Sequence, residues 1–317
     1  MRAQLLRESG TDPELADVPV PAVGDDDVLI RVTASSVNPR DLHIASGEAA
    51  AYMTYEYPVV LGTDLAGTVE RVGAGVSDLA AGDRVFGTVH SMVAGARGSF
   101  AELAAAPRSS VVRTPDAVDD ESAGALGHAA QTAWQCVEAV AASTGDVVLV
   151  HGASGGVGSY AVQVLLARGA RVMATARSEP GAELLRSLGA EDVLDGSSAD
   201  LGESVRDRHP EGIAAIVHLV PQAPAELTAL ARQVLATGGR VASTTFAAEP
   251  DALPGMVAGN VFGHADQAAL QAIADLAAAG RLRAPVTRSF PLEQLTDAFA
   301  ALGGGSTGKI AVRIAAH

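Results

Sequence analysis

The first third of the chain alternates apolar and polar positions over short runs that glycine and charged residues interrupt. Residues 28–32 form a β-branched run, and residues 67–73 alternate with period two between glycines. Residues 82–87 repeat that pattern, and residues 100–104 are a weaker instance of it. The side chains of a β-strand alternate with the same period. The pattern therefore predicts several short strands in a small, β-rich, barrel-like domain.

The pattern changes near residue 120, where apolar runs begin to alternate with helical periodicity. Runs typical of strands occupy residues 147–150, 171–175, 193–194, 213–220, 240–245, 285–290 and 309–314. Helical patterns occupy residues 159–167, 182–188, 225–235, 267–279 and 292–302. Gly238 and Gly239 are expected to end the third of these helices. Strands that alternate with helices at this spacing indicate a parallel sheet covered by helices on both faces.

Composition and charge narrow the class of protein. Among 317 residues, 22 Lys and Arg stand against 37 Asp and Glu, which gives a net charge of −15. Such a surface repels nucleic acid and anionic membranes, so we expect neither as a partner. Cys136 is the single cysteine, which excludes an intrachain disulfide and a multi-thiolate metal site and fits a reducing cytoplasm. No apolar window reaches the roughly 20 residues of a membrane span.

The most informative segment is residues 147–158, VVLVHGASGGVG, in which an apolar strand leads into a glycine-rich turn and then a helix. Glycine is needed where a turn is tight and where the backbone approaches a pyrophosphate closely. The amides that open the next helix then bind the phosphates. The segment predicts a dinucleotide site, with a merely tight turn as the alternative. The expected cofactor contacts are Gly152, Ser154, Gly155, Gly156, Val157 and Gly158.

The choice of dinucleotide is predicted from the end of the second strand of this unit. NAD enzymes usually place an acid there, on the ribose hydroxyls. This chain has Arg177 and Ser178 at that point, and no acid before Glu179. A guanidinium pairs with a 2′-phosphate and a serine hydroxyl adds a donor, so the sequence predicts NADPH. The alternative is that Arg177 is an ordinary solvated surface cation.

Six motifs stand in order along the chain. They are residues 36–41 (SVNPRD), 58–69 (PVVLGTDLAGTV), 82–85 (GDRV), 132–135 (TAWQ), 151–158 (HGASGGVG) and 308–310 (GKI). In this order they resemble the quinone oxidoreductase, or zeta-crystallin-like, branch of the medium-chain dehydrogenase/reductase superfamily. The resemblance implies an α/β fold and a homodimer. It implies a GroES-like, β-rich catalytic domain over residues 1–121, a Rossmann domain with a doubly wound parallel sheet over 122–262, and a return segment, 263–317, that completes the catalytic domain.

The resemblance also implies that zinc is not used. Zinc-dependent relatives place a cysteine where Asn38 stands, and His-Glu where Thr63 and Asp64 stand. They often carry a four-cysteine structural lobe as well. A chain with one cysteine, far from these positions, builds neither zinc site. Donors in a dry cleft then have to stabilise the charge that develops on a substrate oxygen.

Candidate catalytic residues follow from the resemblance and from one unusual cluster of aromatics. By resemblance, Asn38 and Asp41 lie near the nicotinamide and the substrate, and Thr132 contacts the nicotinamide region. Asn38 has turn formation as its alternative role, and Asp41 that of a structural acceptor. Three of the four tyrosines lie at 52, 55 and 57. Tyr52 is the preferred donor to the substrate, and anchoring of the loop is the alternative.

The sequence departs from the family pattern around the expected nicotinamide pocket. His218 and the pair Pro221 and Gln222 replace an Asp and a Gly-Gly pair, and His128 and Gln131 replace apolar residues. A conjugated ketone, enal or enoyl compound is therefore as good a substrate as a quinone. The prediction is NADPH-dependent hydride transfer to such a small molecule. The alternative is an NADPH-binding sensor or structural protein with weak or no catalysis.

Overall fold

The computed structural model describes residues 1–89 and 92–314, and most of its strands coincide with the apolar runs of the sequence. The strands, in chain order, are β1 (Arg2–Leu6), β2 (Glu14–Asp17), β3 (Asp27–Ser36), β4 (Thr54–Tyr55), β5 (Val59–Val60), β6 (Asp64–Val72), β7 (Arg84–Thr88), β8 (Val93–Ala94), β9 (Leu103–Pro107), β10 (Val111–Arg113), β11 (Val147–His151), β12 (Arg171–Ala176), β13 (Asp192–Asp195), β14 (Ile213–His218), β15 (Leu235–Ser243), β16 (Val257–Asn260), β17 (Val286–Pro291) and β18 (Lys309–Arg313). The helices are α1 (Pro39–Ser46), α2 (Asp120–Ala123), α3 (His128–Ala139), α4 (Gly156–Ala167), α5 (Glu179–Ser187), α6 (Leu201–Arg208), α7 (Pro224–Val234), α8 (Gln267–Ala278) and α9 (Leu295–Gly303). Short 3₁₀ turns lie at Glu48–Ala51, Arg108–Ser110, Pro250–Ala252 and Leu292–Gln294.

The chain forms two units, and the first consists of Met1–Gln131 together with His264–His317. Its main sheet has the order β10-β7-β6-β3-β18-β17, and β9 also pairs with β3. Strand β18 pairs antiparallel with β3, so the C-terminal segment completes the sheet that the N-terminal segment begins. Aliphatic side chains such as Ile30, Leu65 and Ile310 fill the core of this unit. The β-rich domain predicted from the period-two runs is confirmed.

The short runs of the first unit coincide with strands, with one exception. Residues 28–32, 67–73 and 82–87 overlap β3, β6 and β7. The run at 100–104 was expected to be one strand, but β9 begins only at Leu103. Phe100 and Ala101 are fully buried, and Ala101 makes only an isolated bridge with Ala3. The backbone of Phe100 and Glu102 bonds to Gln4 and Arg2 of β1, so this stretch pairs locally with β1 before β9 begins.

The second unit, Thr132–Gly263, is built on a parallel sheet of six strands. The strand order is β13-β12-β11-β14-β15-β16, and every neighbouring pair is parallel. The chain starts in the middle with β11, builds outward to β13, and then returns to build from β14 to β16. The point where the order reverses, between β11 and β14, is where a doubly wound sheet binds its ligand. The doubly wound parallel sheet predicted from the sequence is confirmed.

Two local predictions in this unit were wrong. Gly238 and Gly239 do not end the preceding helix, because α7 stops at Val234 and both glycines lie within β15. Strand β15 begins directly at Leu235, and its register against β14 shifts between Ile213 and Ala215. The helix expected from residue 159 begins three residues earlier, at Gly156. The glycine-rich loop is therefore shorter, and part of its motif is the first turn of α4.

Candidate active site

The predicted site residues fall in both units, and each set is described within its own unit. In the second unit, the glycine-rich loop joins β11 to α4. Gly152 has a φ of +92°, in the left-handed region that favours glycine. A Cβ on Gly158 would lie 2.3 Å from the carbonyl oxygen of Gly152. Glycine is therefore required at both positions, one for the turn and one for the close approach of helix and loop.

The loop is hydrogen-bonded to β12 and leaves the start of α4 without a side-chain cap. The amide of Gly152 donates to Thr175 Oγ1 at 2.9 Å, which ties the loop to β12. Gly155 occupies the N-cap position of α4 and no side chain caps this end. Ser154, Gly155, Gly156 and Val157 keep part of their surface exposed. Uncapped amides at the positive end of a twelve-residue helix suit an anion, so the loop fits a pyrophosphate.

The end of β12 presents an exposed cation beside this loop. Arg177 is exposed, and among the described residues its side chain has no hydrogen-bond or ion-pair partner. Ser178 is the N-cap of α5 and accepts the amide of Gly181 at 3.3 Å. The nearby carboxylate of Glu179 is paired with Arg186 at 2.7 Å. The first acid after β12, Glu179, is thus paired with a cation of its own helix.

The loop and the end of β12 lie within a few ångströms of each other. A Cβ on Gly181 would lie 3.0 Å from the Cβ of Ser154 and 3.3 Å from Ser178 Oγ. Ser154 and Ser178 therefore flank the same small residue of α5. This spacing lets one ligand reach both the glycine-rich loop and the hydroxyl and cation that follow β12.

Two histidines lie side by side at the point where the strand order reverses. The sequence marked His218 as a departure from the family pattern, and it gave His151 no role. His151 ends β11 and His218 ends β14, and the two residues are in register. Their rings lie edge to face with centroids 5.5 Å apart, and both side chains are buried. Burial lowers the pKa of His151 to about 4, helped by His218, and burial also lowers the pKa of His218. Both imidazoles are therefore neutral near pH 7.

In the first unit, Asn38 is a member of a buried polar cluster with Asp64 and Lys309. Asn38 Nδ2 donates to Asp64 Oδ2 at 2.8 Å and to the carbonyl of Ser36 at 3.3 Å. Lys309 Nζ donates to Asn38 Oδ1 at 2.7 Å and lies 3.4 Å from Asp64 Oδ2. Ser36 Oγ donates to the same carboxylate oxygen at 2.5 Å. The amide of Asn38 thus makes its hydrogen bonds inside the protein.

Asp41 lies on the first turn of α1, next to that cluster. Its carboxylate accepts the backbone amide of Asn38 at 2.8 Å and the hydroxyl of Thr63 at 2.7 Å. The residue is fully buried, and this burial raises the pKa of its carboxyl to about 6. Within this balance, the hydrogen bond from Thr63 lowers the pKa and the nearby Asp64 raises it. Asp41 fixes the loop before α1 to the strand that follows Thr63.

His128 and Gln131 differ in their surroundings, although both replaced expected apolar residues. The backbone amide of His128 donates to Asp64 Oδ1 at 2.5 Å. Desolvation lowers the pKa of the His128 imidazole to about 4, with Asp64 opposing the shift. Gln131 is buried and accepts the amide of Asp266, the residue that caps α8. Thr132, the first residue of the second unit, is buried in α3.

The tyrosine cluster divides into an anchor and two exposed rings. The hydroxyl of Tyr55 donates to the carbonyl of Ile44 at 2.8 Å, which fastens the loop to α1. Burial raises the pKa of that phenol to about 12. Tyr57 stacks on Tyr55 with centroids 5.4 Å apart and is exposed. Tyr52 is also exposed, with 38% of its surface accessible. Of the three rings in this cluster, Tyr52 and Tyr57 are the exposed ones.

The residues at the positions of the zinc ligands do not fit a zinc ion. Asn38, Thr63 and Asp64 provide a single carboxylate, and that carboxylate already accepts from Ser36, Asn38 and His128. Lys309 Nζ, 3.4 Å from Asp64 Oδ2, brings a positive charge to the same carboxylate. Within residues 1–89 and 92–314, no group of three or more His, Cys, Asp or Glu side chains is spaced to hold a metal. Asn38, Thr63 and Asp64 therefore do not provide the set of cysteine, histidine and carboxylate ligands that binds zinc.

Two family models match the chain. Residues 24–116 match the alcohol dehydrogenase GroES-like domain, and residues 188–312 match a family described as zinc-binding dehydrogenase. The quinone oxidoreductase of Pongo abelii is 31% identical over 333 residues, covering 98% of this chain and 97% of that protein. A mycobacterial protein solved in complex with NADPH superposes with a TM-score of 0.83 at 26% identity, covering 99% of this chain and all of that one.

A further relative is much longer than this chain. The mycocerosic acid synthase-like polyketide synthase of Mycobacterium tuberculosis is 37% identical over 220 residues. The match covers 68% of this chain but only 10% of the length of the synthase. In the part of the chain that the structure describes, no helix is both long enough and apolar enough to cross a membrane.

Proposed function

The chain belongs to the quinone oxidoreductase branch of the medium-chain dehydrogenase/reductase superfamily, and from this membership we propose that it uses NADPH to reduce a quinone or an α,β-unsaturated carbonyl compound without zinc. The observation that carries the proposal is the anion site of the second unit. Its glycine-rich loop, uncapped helix and exposed Arg177 converge around Ser154 and Ser178.

The preference for NADPH rests on Arg177 and Glu179. An acid on the ribose hydroxyls would favour NAD, but Glu179 is engaged with Arg186. The guanidinium of Arg177 is exposed and suits a 2′-phosphate, for which its planar fork provides paired donors. The relative solved with NADPH supports the same choice. In this proposal Gly152, Ser154, Gly155, Gly156, Val157 and Gly158 hold the pyrophosphate, and Thr132 lies toward the nicotinamide.

In the proposed reaction, bound NADPH supplies a hydride to the β-carbon of the substrate. Negative charge then develops on the carbonyl oxygen, and a hydrogen-bond donor stabilises it. Tyr52, whose ring is exposed, is the proposed donor. Asn38 and Asp41 act by holding the loop before α1 in place, since their polar atoms bond within the buried cluster. Solvent or a tyrosine-linked water protonates the α-carbon.

Zinc independence is proposed on the chemistry of the same cluster. Lys309 Nζ lies 3.4 Å from Asp64 Oδ2, so the carboxylate has a counter-charge without a metal. The charge on the substrate oxygen is then met by hydrogen-bond donors alone. Activity should persist after extensive EDTA treatment, and elemental analysis should find no stoichiometric zinc. Activity that is lost to EDTA and restored by zinc would overturn this part of the proposal.

An enoyl substrate is the second candidate within the same reaction class. The observation that favours it is the 37% identity to part of a polyketide synthase. The residues that depart from the family pattern lie at the end of β14 or just after it; they are His218, Pro221 and Gln222. A panel of small quinones, enones and enoyl thioesters, followed by the loss of NADPH absorbance, separates the two candidates. Binding of NADPH without turnover of any of them would favour a sensor or structural role.

We further propose that two copies of the chain pair. Strand β16 is an edge strand of the six-stranded sheet, and Val257 on it is 64% exposed. Phe246 and Phe262 are also exposed, and their rings lie 6.3 Å apart. An exposed apolar edge strand is a template for pairing with another strand. Light scattering should give twice the mass of the chain, and the mass of a single chain would contradict pairing.

A further inference from the structure

The end of β14 carries a chain of hydrogen bonds that the reaction described above does not use. His218 Nδ1 lies 3.2 Å from Ser243 Oγ, and His218 Nε2 lies 3.0 Å from Gln222 Oε1. His218 is fully buried, whereas Gln222 keeps part of its surface exposed. The chain of contacts therefore runs from the interior of the second unit to its surface.

The direction of these hydrogen bonds follows from Ser243. Its hydroxyl oxygen accepts the backbone amides of Thr245 at 3.2 Å and Ala247 at 3.4 Å. Its lone pairs are therefore engaged, and its hydrogen goes either to His218 Nδ1 or to Thr245 Oγ1, which lies 3.2 Å away. In the second case the hydroxyl of Thr245, 3.3 Å from His218 Nδ1, is the donor to the ring. A neutral imidazole that accepts at Nδ1 carries its proton on Nε2, and burial, which lowers the pKa of His218, keeps it neutral. His218 Nε2 then donates to Gln222, which must present its oxygen.

This arrangement turns the NH₂ group of Gln222 away from His218. Among the described residues, no side chain or carbonyl accepts from that group. The amide consequently offers two oriented donors at the carboxyl edge of the sheet. His218 sets the orientation, because rotating the amide by half a turn would place its NH₂ group against the Nε2 proton.

The position of Gln222 relative to the glycine-rich loop identifies the part of the ligand it faces. A Cβ on Gly152 would lie 2.8 Å from Val220 Cγ1, so the segment after β14 packs against the loop. Arg177 and Ser178 follow β12, which lies on the other side of β11. A dinucleotide whose pyrophosphate sits on the loop and whose adenosine ribose faces Arg177 directs its other half toward β14.

We propose that Gln222 donates a hydrogen bond to an oxygen of the nicotinamide riboside half of the cofactor, and that His218 is the positioning residue that orients its amide. This inference rests on the proposed function, because it needs NADPH on the glycine-rich loop. It gives a role to two residues that replace the usual residues of the family. The hydroxyls of Ser243 and Thr245 contact His218 Nδ1 and hold the ring in the tautomer that donates to Gln222.

Cofactor binding measured by isothermal titration calorimetry tests the proposal without reference to turnover. Gln222→Glu keeps an oxygen for His218 but removes the NH₂ donors, and Gln222→Leu removes both. Each should raise the dissociation constant for NADPH about three- to tenfold, the effect of one hydrogen bond. Neither should change the constant for 2′,5′-ADP, which has no nicotinamide half. Gln271→Leu, on the exposed surface of α8 in the first unit, is the matched control.

Each outcome decides one of the two claims. Equal NADPH affinity in Gln222→Glu and the parent would overturn the role of Gln222 while leaving the proposed function intact. Equal losses for NADPH and 2′,5′-ADP would also overturn it, because they would place the effect on the adenosine half. A parent protein that binds neither ligand would instead refute the proposed function.

The positioning role of His218 is tested by a double-mutant cycle. His218→Phe keeps a ring of similar size and deletes the Nε2 donor. Combined with Gln222→Leu, it should add no further loss of NADPH affinity, because both changes remove the same oriented donor. Additive losses would overturn the positioning role. If His218→Phe does not fold, thermal unfolding will show it, and the result with Gln222→Glu still decides the proposal.

Discussion

Lys309 Nζ lies 2.7 Å from Asn38 Oδ1, and it joins the last strand of the chain to the loop before α1. Lys309 is the only lysine in the sequence, and it is 3% exposed. It shares Asp64 with Asn38, so a buried cation, a buried carboxylate and a side-chain amide contact one another. A buried charge without its partner is strongly unfavourable, which makes this set sensitive to the loss of either ion.

Lys309→Met should lower the free energy of unfolding by roughly 3–5 kcal/mol, because it leaves Asp64 buried without a counter-charge. Urea denaturation measures the change. Arg31→Met is the matched control, since it removes an exposed partner of Glu70 and should cost at most about 1 kcal/mol. Losses of equal size in the two variants would contradict the assignment of a buried ion pair. Adding Asp64→Asn to Lys309→Met should recover part of the loss.

Arg177→Ala should raise the dissociation constant for NADPH about tenfold and leave the constant for NADH nearly unchanged. The reason is that a hydrogen bond to a charged group contributes about 1.5–3 kcal/mol. Arg171→Ala is the control, because it removes an exposed arginine at the opposite end of the same strand. Fluorescence titration with both cofactors measures the effect. Equal weakening of NADPH and NADH would remove Arg177 from the phosphate site.

Stability should depend on pH through the buried histidine His151. Its pKa in the folded chain is about 4, below the ordinary value of 6.5, so the unfolded chain binds a proton that the folded chain does not. Stability from the neutral ring is therefore present above pH 6.5 and is lost as the pH falls toward 4. Asp41, whose pKa is raised to about 6, acts in the opposite sense, since its contribution is lost as the pH rises.

His151→Leu removes the contribution of His151 to the pH dependence of stability and leaves that of Asp41 in place. Between about pH 7.5 and about pH 5.5, the parent should lose roughly 1 kcal/mol more unfolding free energy than His151→Leu does. Urea denaturation at several pH values measures the difference. His43→Leu, a change at an exposed histidine of the first unit, is the control and should follow the parent. Parallel pH profiles for the parent and His151→Leu would contradict the account.

The sequence predicted the second unit well because its strands are continuous apolar runs next to glycine. Residues 147–150 and 171–175 lie inside β11 and β12, and the motif between them identified the loop. Helix α6 was not predicted, because Leu201 and Val205 are its only large apolar residues and give too little periodicity. The glycines inside β15 misled the prediction, since glycine marks the end of a helix more often than the middle of a strand.

The polar cluster of the first unit was beyond the sequence alone. Asn38 and Asp64 were recognised by resemblance, but their partner Lys309 is 271 residues from Asn38 along the chain. No local pattern indicates such a pairing, which depends on β18 lying beside β3. The sequence did mark His218 and Gln222 as departures. It did not reveal that they are hydrogen-bonded to each other, because that contact depends on the loop that follows β14.

The donor to the substrate oxygen is tested by Tyr52→Phe, which keeps the ring and deletes the hydroxyl. Removal of a donor that stabilises developing charge commonly lowers turnover about 10²–10³-fold. Tyr57→Phe is the control, since Tyr57 is equally exposed and lies in the same cluster. Steady-state turnover of an enone should fall in the first variant and not in the second. Unchanged turnover in Tyr52→Phe would dismiss Tyr52 and leave the reaction class standing.

The central claim, reduction of a conjugated alkene by hydride from NADPH, is tested most directly by the position of a label. The parent protein is incubated with NADPH deuterated at the transferred position and with an α,β-unsaturated ketone. Nuclear magnetic resonance of the product then locates the deuterium. The account predicts deuterium on the β-carbon, with the carbonyl intact. Deuterium on the carbonyl carbon would mean that the protein reduces carbonyls to alcohols, and it would contradict the account.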